Sequence, residues 1–291
     1  TGGAGFIGSH IVDRLISLGH EVVCIDNEYA NNEQFYWNKQ ASNYKVDIAD
    51  YHKIKNLFKS VDYVFHLAAE SRIGAAIKNP LEAFEINILG TSNILQCSRE
   101  NNINRLIYSS TSAGYGLNNL PNTETQLDDC LNPYSVSKIA AEKICKMYSD
   151  FYNLPTIILR YFNVYGERAP MKGQYAPVIG IFLRQKKEGC KLTIIGDGER
   201  KRDFIYVGDV VEANINAALK KIDKKFYGQI FNVGSGKNTS INDNAKMINH
   251  EVEYLPEREG EAKATLADIK KIKLILDWHP KMHLENWIKK Y

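Results

Sequence analysis

The stretch Thr1–His10 reads TGGAGFIGSH, and its glycines at Gly2, Gly5 and Gly8 set a GxxGxxG spacing. Each glycine has its own physical use: a tight turn, room for the backbone to approach a pyrophosphate, and close contact between a helix and the sheet beneath it. The pattern predicts a helix over Ser9 to Leu18, whose N-terminus would offer unpaired N–H groups and a partial positive charge to phosphate oxygens. Glycines end strands in many unrelated proteins, so the turn alone decides little. The deciding partner is Asp26, which closes the next apolar run, Glu21 to Ile25, at about the 20-residue distance a dinucleotide site requires. A carboxylate there accepts hydrogen bonds from both ribose hydroxyls and repels a 2′-phosphate, which favours NAD over NADP. Since the chain opens on the turn itself, a short strand is expected before Thr1.

Downstream, strand-like runs at Tyr63 to Leu67, Arg105 to Ser109 and Thr156 to Tyr161 alternate with helical patterns at Tyr51 to Lys59, Pro80 to Asn101 and Tyr134 to Phe151. Near-continuous apolar strands separated by amphipathic helices predict an α/β fold: a doubly wound parallel (Rossmann) sheet with helices on both faces. From Asn163 onward the pattern loosens, punctuated by Pro170, Gly173, Pro177, Gly189, Gly196, Gly198, Pro256 and Gly260. The expected organisation is an NAD-binding domain over 1–162 and a smaller C-terminal substrate-binding α/β domain over 163–291. Two segments, Asp203 to Leu219 and Gln229 to Val233, are expected to return to the main sheet. Asn31 and Asn32 read as loop.

Composition removes several function classes. Hydrophobic residues make up 44% and charged residues 24% of 291 residues, an ordinary globular balance. A net charge of +3 is too small to argue for nucleic acid, and the lysines near Lys186, Lys220 and Lys270 read as solvated helix faces. No apolar run approaches the ~20 residues that span a bilayer, so no membrane is expected. Cys24, Cys97, Cys130, Cys145 and Cys190 form no CxxC pair, which suits reduced thiols in a cytoplasmic protein. His279 and His283 are separated by Pro280 and lack an acidic partner, so no metal site is expected.

The chemistry-bearing pair is Tyr134 and Lys138, spaced i, i+4 at the start of a helix after Asn132 and Pro133, which puts phenol and ammonium on one face. A phenol with a reference pKa near ~10 is a poor base at neutral pH. Lowering it by ~3 units takes roughly 4 kcal/mol, within reach of the lysine and a cationic nicotinamide in a desolvated cleft. The preceding strand ends in Ser109, Ser110, Thr111 and Ser112, where a hydroxyl could bond the same sugar oxygen. Together these residues point to hydride chemistry.

These motifs resemble the extended short-chain dehydrogenase/reductases that act on nucleotide sugars, and the resemblance runs over essentially the whole chain. TGGAGFIGSH is similar to that family's cofactor turn, which implies contacts from Gly2, Gly5, Phe6, Ile7 and Gly8, followed by Asp26 and Asn27. His66–Ala69 (HLAA) resembles the strand end beside the nicotinamide, through Leu67, Ala68 and Ala69. Asp47 and Ile48 look like its adenine contacts, and Asn87 like its helix asparagine under the active site. Ser109 and Tyr161 are likewise implied on the cofactor side. RYFNVYG (Arg160–Gly166), GDG (Gly196–Gly198) and RDFIYV (Arg202–Val207) resemble the family's substrate-domain signatures. The resemblance implies substrate contacts from Ser71, Thr111, Asn163, Tyr175, Ala176, Arg202, Arg258, Glu261 and Thr265. Arg202 and Arg258 would grip the nucleotide pyrophosphate, a task suited to a guanidinium fork.

Within that family, the dehydratases are similar in carrying an Asp-Glu pair just after the position of Thr111, and the decarboxylases carry a Glu; here Ser112 and Ala113 follow. The chain therefore looks like a 4-epimerase, with Thr111, Tyr134 and Lys138 as catalytic residues, NAD as cofactor and a transient 4-keto sugar as intermediate. Thr111 stands where the strictest pattern has Ser. The small Thr265, where galactose-only enzymes carry Tyr, and YAPVI (Tyr175–Ile179) favour UDP-GlcNAc/GalNAc or UDP-Glc/Gal as substrate. Uronate epimerases place an Arg near position 74, where Gly74 stands with Arg72 offset, so UDP-uronate is the alternative. Another dehydratase or reductase and an NAD-binding sensor without turnover are the remaining alternatives. The resemblance also implies a homodimer through Pro80 to Asn101 and Tyr134 to Phe151.

Overall fold

β4 (Arg105–Thr111) and β5 (Thr156–Tyr161) are buried along their whole lengths, as the apolar runs require of the middle strands of a parallel sheet. The computed structural model describes residues 1–29, 35–171, 176–257 and 262–291, so Asn31 and Asn32 lie outside the described residues. The strands before β4 are β1 (Val23–Asp26), β2 (Ser42–Lys45) and β3 (Tyr63–His66). Those after β5 are β6 (Asn163–Tyr165), β7 (Leu192–Ile195), β8 (Lys201–Tyr206), β9 (Gln229–Val233), β10 (Asn238–Ser240) and β11 (Val252–Leu255).

The central sheet runs β3-β4-β5-β9, all parallel. β1 pairs in parallel with β2 beside it, and a cavity of about 510 Å³ lined by Val12, Cys24, Ile25, Val64 and Phe65 lies between the two sheets. The backbone of Thr1 and Gly2 spans the junction. Thr1 N donates to Phe65 O (2.8 Å), Leu67 N to Thr1 O (3.1 Å) and Gly2 N to Ile25 O (2.8 Å). One sheet face packs on the helices Thr91–Glu100 and Pro133–Tyr152 through Ile94, Leu95, Leu106, Ala141 and Cys145. The other packs on Val207–Leu219 and Lys270–Leu276 through Ile107, Leu159, Val210, Phe231 and Ile272. A third cluster, with Phe182, Leu192, Phe204 and Trp287, belongs to the small sheets β10-β8-β6 and β11-β7.

The long helix Pro133–Tyr152 is written in its first residues. Asn132 Oδ1 accepts from Ser135 N (2.9 Å), Ser135 Oγ accepts from Asn132 N (3.3 Å), and Pro133 fills the first helical position, where no N–H is needed. It stops at Asn153, which turns left-handed with φ +56°.

Several expectations need correction. The pattern over Pro80 to Asn101 is three pieces: an α-helix at Pro80–Phe84, a π-helix at Glu85–Gly90 and an α-helix at Thr91–Glu100. The wide turn holds Asn87 fully inside, where its amide bridges Glu70 and Ser137. Tyr51 to Lys59 becomes one α-turn, Tyr51–Ile54, and a 3₁₀ turn, Lys55–Phe58. Of the two segments expected back in the main sheet, only β9 pairs there. β8 instead pairs with β6 and β10, and its buried Asp203 carboxylate accepts backbone N–H groups from Ser235, Gly236 and Ala267. Its following helix, Val207–Leu219, still covers the main sheet. β2, exposed at all four residues and without alternation, gave no sequence signal. Among the described residues no helix is long and apolar enough to cross a membrane.

Candidate active site

The glycine turn is fixed by how closely other backbone approaches it. Gly2 has φ +69°, and a Cβ there would stand 2.5 Å from Ala68 N; a Cβ on Gly8 would stand 2.0 Å from Gly2 O. The turn thus brings the N-terminus of the Phe6–Ser17 helix against the HLAA strand end. At Gly5 a Cβ would meet only Gly2 O, at 3.4 Å. Next to the turn, Asp26 is buried, accepting from Ala4 N (3.1 Å) and Glu28 N (2.8 Å). Asn27 donates to Asp47 Oδ2 (2.9 Å), and Asp47 Oδ1 accepts from Ala49 N (2.7 Å). Backbone that only glycine permits, ending at a helix N-terminus and flanked by a carboxylate, fits a dinucleotide.

A cavity of about 420 Å³ runs from this turn past the strand ends. Of the residues expected to touch cofactor, Gly2, Gly5, Phe6, Ile7, Gly8, Asp26, Asn27, Asp47, Ile48, Leu67, Ala68, Ala69, Ser109, Tyr134, Lys138 and Tyr161 line it. Asn87 does not; it lies buried behind the wall. Ser71, Thr111 and Ala176 also line the cavity. Asn163, Arg202 and Thr265 are absent from its lining. Asn163 Nδ2 donates to Asp203 O (3.1 Å) and Thr265 Oγ1 (3.3 Å), and Arg202 Nη1 donates to Lys201 O (3.1 Å). Tyr175, Arg258 and Glu261 lie outside the described residues.

The wall also contains Ser110, offered above among the strand-end hydroxyls, and Tyr29, Phe35, Arg72, Ile86, Phe162 and Val164, which sequence reasoning did not assign to the site. Phe162 and Val164 could have been found, since they flank Asn163 inside the quoted RYFNVYG motif. Tyr29 and Phe35 lie outside any named helix or strand and follow no spacing rule, and only the fold brings them to the wall.

At the catalytic end, burial pushes the Tyr134 phenol up, a hydrogen bond with Thr111 pulls the other way, and the negative charge of Glu70 reinforces burial. Burial lowers the Lys138 ammonium to about 8, against the pull of Cys145 and Glu142, and its Nζ stands 4.3 Å over the Tyr108 ring. Lys138 and a cationic nicotinamide were expected to lower the phenol together; the protein's own groups, taken alone, raise it, because desolvation outweighs the Thr111 bond.

Behind these groups lies a rigid polar frame. Ser110 Oγ donates to Glu142 Oε1 (2.5 Å), and Arg160 forks onto both Glu142 oxygens at 2.8 and 2.7 Å, then reaches Asp128 (2.6 Å). Glu142 is one turn beyond Lys138 on the same helix, so this frame fixes strand β4 to the helix that carries Tyr134. Tyr161 Oη joins Ser109 Oγ (2.8 Å) and the buried Asn214. The neutral imidazole of His66, pushed well below its usual range by burial, bonds Thr1 Oγ1 (2.7 Å) and Thr91 Oγ1 (2.8 Å) and holds the HLAA strand end.

Residues 1–234 match the sequence profile of the NAD dependent epimerase/dehydratase family. A Methanocaldococcus jannaschii protein provisionally named UDP-glucose 4-epimerase is 40% identical over 100% of this chain and 95% of its own. The crystal structure of UDP-glucose 4-epimerase with UDP-glucose from Thermotoga maritima superposes with a TM-score of 0.93 at 35% identity, covering 99% of this chain and 94% of that one. A UDP-glucuronate 4-epimerase from Thermodesulfobacterium geofontis is 32% identical over 100% of this chain and 93% of its own.

Proposed function

Because this chain belongs to the NAD dependent epimerase/dehydratase family, we propose that it interconverts a UDP-hexose with its C4 epimer, UDP-Glc/Gal or UDP-GlcNAc/GalNAc. One observation carries the reading: Thr111, Tyr134 and Lys138 line the same cavity as the glycine turn and Asp26, while Ser112 and Ala113 follow Thr111 without a carboxylate.

The glycine turn would hold the NAD pyrophosphate, Asp26 its adenosine ribose, Asp47 and Ile48 its adenine, and Leu67–Ala69 with Lys138 its nicotinamide half. NAD, when bound, supplies a reversible two-electron oxidant at the sugar carbon. Tyr134 takes the O4 proton as C4 is oxidised and returns it when C4 is reduced again on the opposite face. Thr111 bonds the same oxygen and orients it. Lys138 contributes the chain's own positive charge in a desolvated site, where it favours the phenolate that burial opposes. Dehydration or decarboxylation would need a further group to move a proton at carbon, and neither Ser112 nor Ala113 can do so.

UDP-uronate is the second reading, favoured by one feature, the guanidinium of Arg72 in the cavity wall. Incubation with UDP-Glc, UDP-GlcNAc and UDP-GlcA separately, without added cofactor, followed by product separation, tests both. Conversion of either uncharged sugar supports the proposal, and exclusive conversion of UDP-GlcA overturns it. Arg202 and Arg258 would bind the nucleotide diphosphate.

A homodimer is part of the same reading. Leu81, Leu89, Val136, Met147 and Phe151 are exposed on the two helical stretches expected to pair, Phe151 at 75% and Leu81 at 77%. Large apolar side chains so placed suit a second copy of this chain. Sedimentation as a monomer at micromolar concentration would remove that part. The five unpaired cysteines suit a cytoplasmic location.

A further inference from the structure

Arg72, in the cavity wall, is tied to a carboxylate behind it that the mechanism does not use. Glu70 is 1% exposed, and Arg72 forks onto it, Nε to Oε1 at 2.9 Å and Nη2 to Oε2 at 2.7 Å. The same carboxylate accepts from the backbone N–H of Arg72 (2.8 Å), closing a tight loop around Ser71. The Glu70 backbone is pinned in turn by the buried Asn87. Glu70 N donates to Asn87 Oδ1 (2.8 Å), and Asn87 Nδ2 donates to Glu70 O (3.0 Å) and to Ser137 Oγ (2.8 Å), one turn from Tyr134. The pair is therefore rigid and lies at the catalytic end, with Ser71 and Arg72 both lining the cavity.

We propose that the Glu70–Arg72 pair selects the charge class of the sugar, admitting hexoses that are uncharged at C6 and turning away uronates. This rests on the reading of the site as that of a UDP-sugar epimerase. The physical reason is charge cancellation. Alone in the wall, Arg72 would attract a C6 carboxylate; here two of its donors already serve a buried carboxylate of this chain. A uronate would meet a guanidinium whose charge Glu70 already offsets, or would have to pull it away and leave Glu70 buried without a counter-charge, one of the more destabilising changes a protein interior can undergo. A neutral 6-hydroxymethyl group makes no such demand, and its hydroxyl can bond the pair without separating it. Arg72, which by itself would argue for a uronate, thus argues against one.

The test is calorimetric titration of the NAD-loaded full chain with UDP-glucose and with UDP-glucuronate. Wild type should bind UDP-glucose more tightly. Glu70→Gln, which removes the carboxylate charge that forks onto Arg72, should shift the affinity ratio toward UDP-glucuronate by about tenfold or more, the range expected when a close charge pair is gained. Adding Arg72→Met to Glu70→Gln should abolish that gain. Should Glu70→Gln fail to fold, Arg72→Lys serves in its place: it keeps a cation beside the buried Glu70 but breaks the two-point fork, and should shift the affinity ratio toward UDP-glucuronate by about threefold. A ratio within twofold of wild type in the folded variant, or wild type binding both sugars equally, overturns the proposal. Conversion of UDP-glucose by wild type is scored separately. Its absence overturns the epimerase reading, whereas its presence with an unmoved ratio removes only the role of the ion pair.

Discussion

The two ends of the cavity are built on opposite principles. At the cofactor end, selection acts through shape: Gly2 and Gly8 are glycines because backbone atoms of Ala68 and Gly2 stand where a Cβ would be. At the catalytic end, selection acts through charge in a desolvated place, where burial raises the Tyr134 phenol and lowers the Lys138 ammonium. A steric end should answer mutation with loss of binding or folding, and an electrostatic end with loss of turnover and a pH signature. The difference teaches that stability and activity are written in different residues of one pocket.

The largest effect expected is at the electrostatic end. Tyr134→Phe removes the proton-carrying oxygen and little else, so kcat should fall about 10³-fold while bound NAD content stays near wild type. Loss of NAD together with activity would blur the contrast. At the steric end, Gly8→Ala should lose bound NAD and lower stability by about 2–3 kcal/mol, since the new Cβ meets backbone rather than a flexible side chain. Cofactor content by absorbance and melting temperature both read it, and an NAD-replete, normally melting variant would break the steric account.

Lys138→Met should separate function from stability. The ammonium is lowered from 10.5 to about 8, so the unfolded chain binds more protons than the folded one between those values. Burying the charge is unfavourable below pH 8 and is relieved as pH rises toward 10.5. The variant should therefore lose activity yet gain on the order of 2 kcal/mol of stability at pH 7, with the gain fading above pH 8. Equal melting curves at pH 7 would mean that the ammonium is solvated. The smallest effect belongs to Arg14→Ala, which removes a half-exposed ion pair with Glu212 (2.8 Å) between the glycine-turn helix and Val207–Leu219. Less than about 0.5 kcal/mol should be lost. A larger loss would mean that the turn depends on charge as well as shape.

The same two principles explain what could be read early. The turn, Asp26 and the Tyr134–Lys138 spacing each depend on neighbours a few residues or one strand away, so linear spacing carries them. The strands from Tyr63, Arg105 and Thr156 were visible because a doubly covered parallel sheet demands unbroken apolar runs. β2 was not, and β8 was placed in the wrong sheet. The first holds its place through backbone pairing with β1, and the second pairs with β6 and β10, partners about 40 residues before it and about 35 after it in the chain.

The sequence by itself determined the sheet class, the dinucleotide turn and the residue types available for proton transfer, because each follows from short-range geometry. Only the tertiary structure decided that burial works against the phenolate, that Asn87 braces the wall instead of lining it, and that Arg72 meets the cavity already paired with Glu70. Those outcomes depend on burial and on which charges face one another across separate elements, and neither quantity exists until the chain has folded.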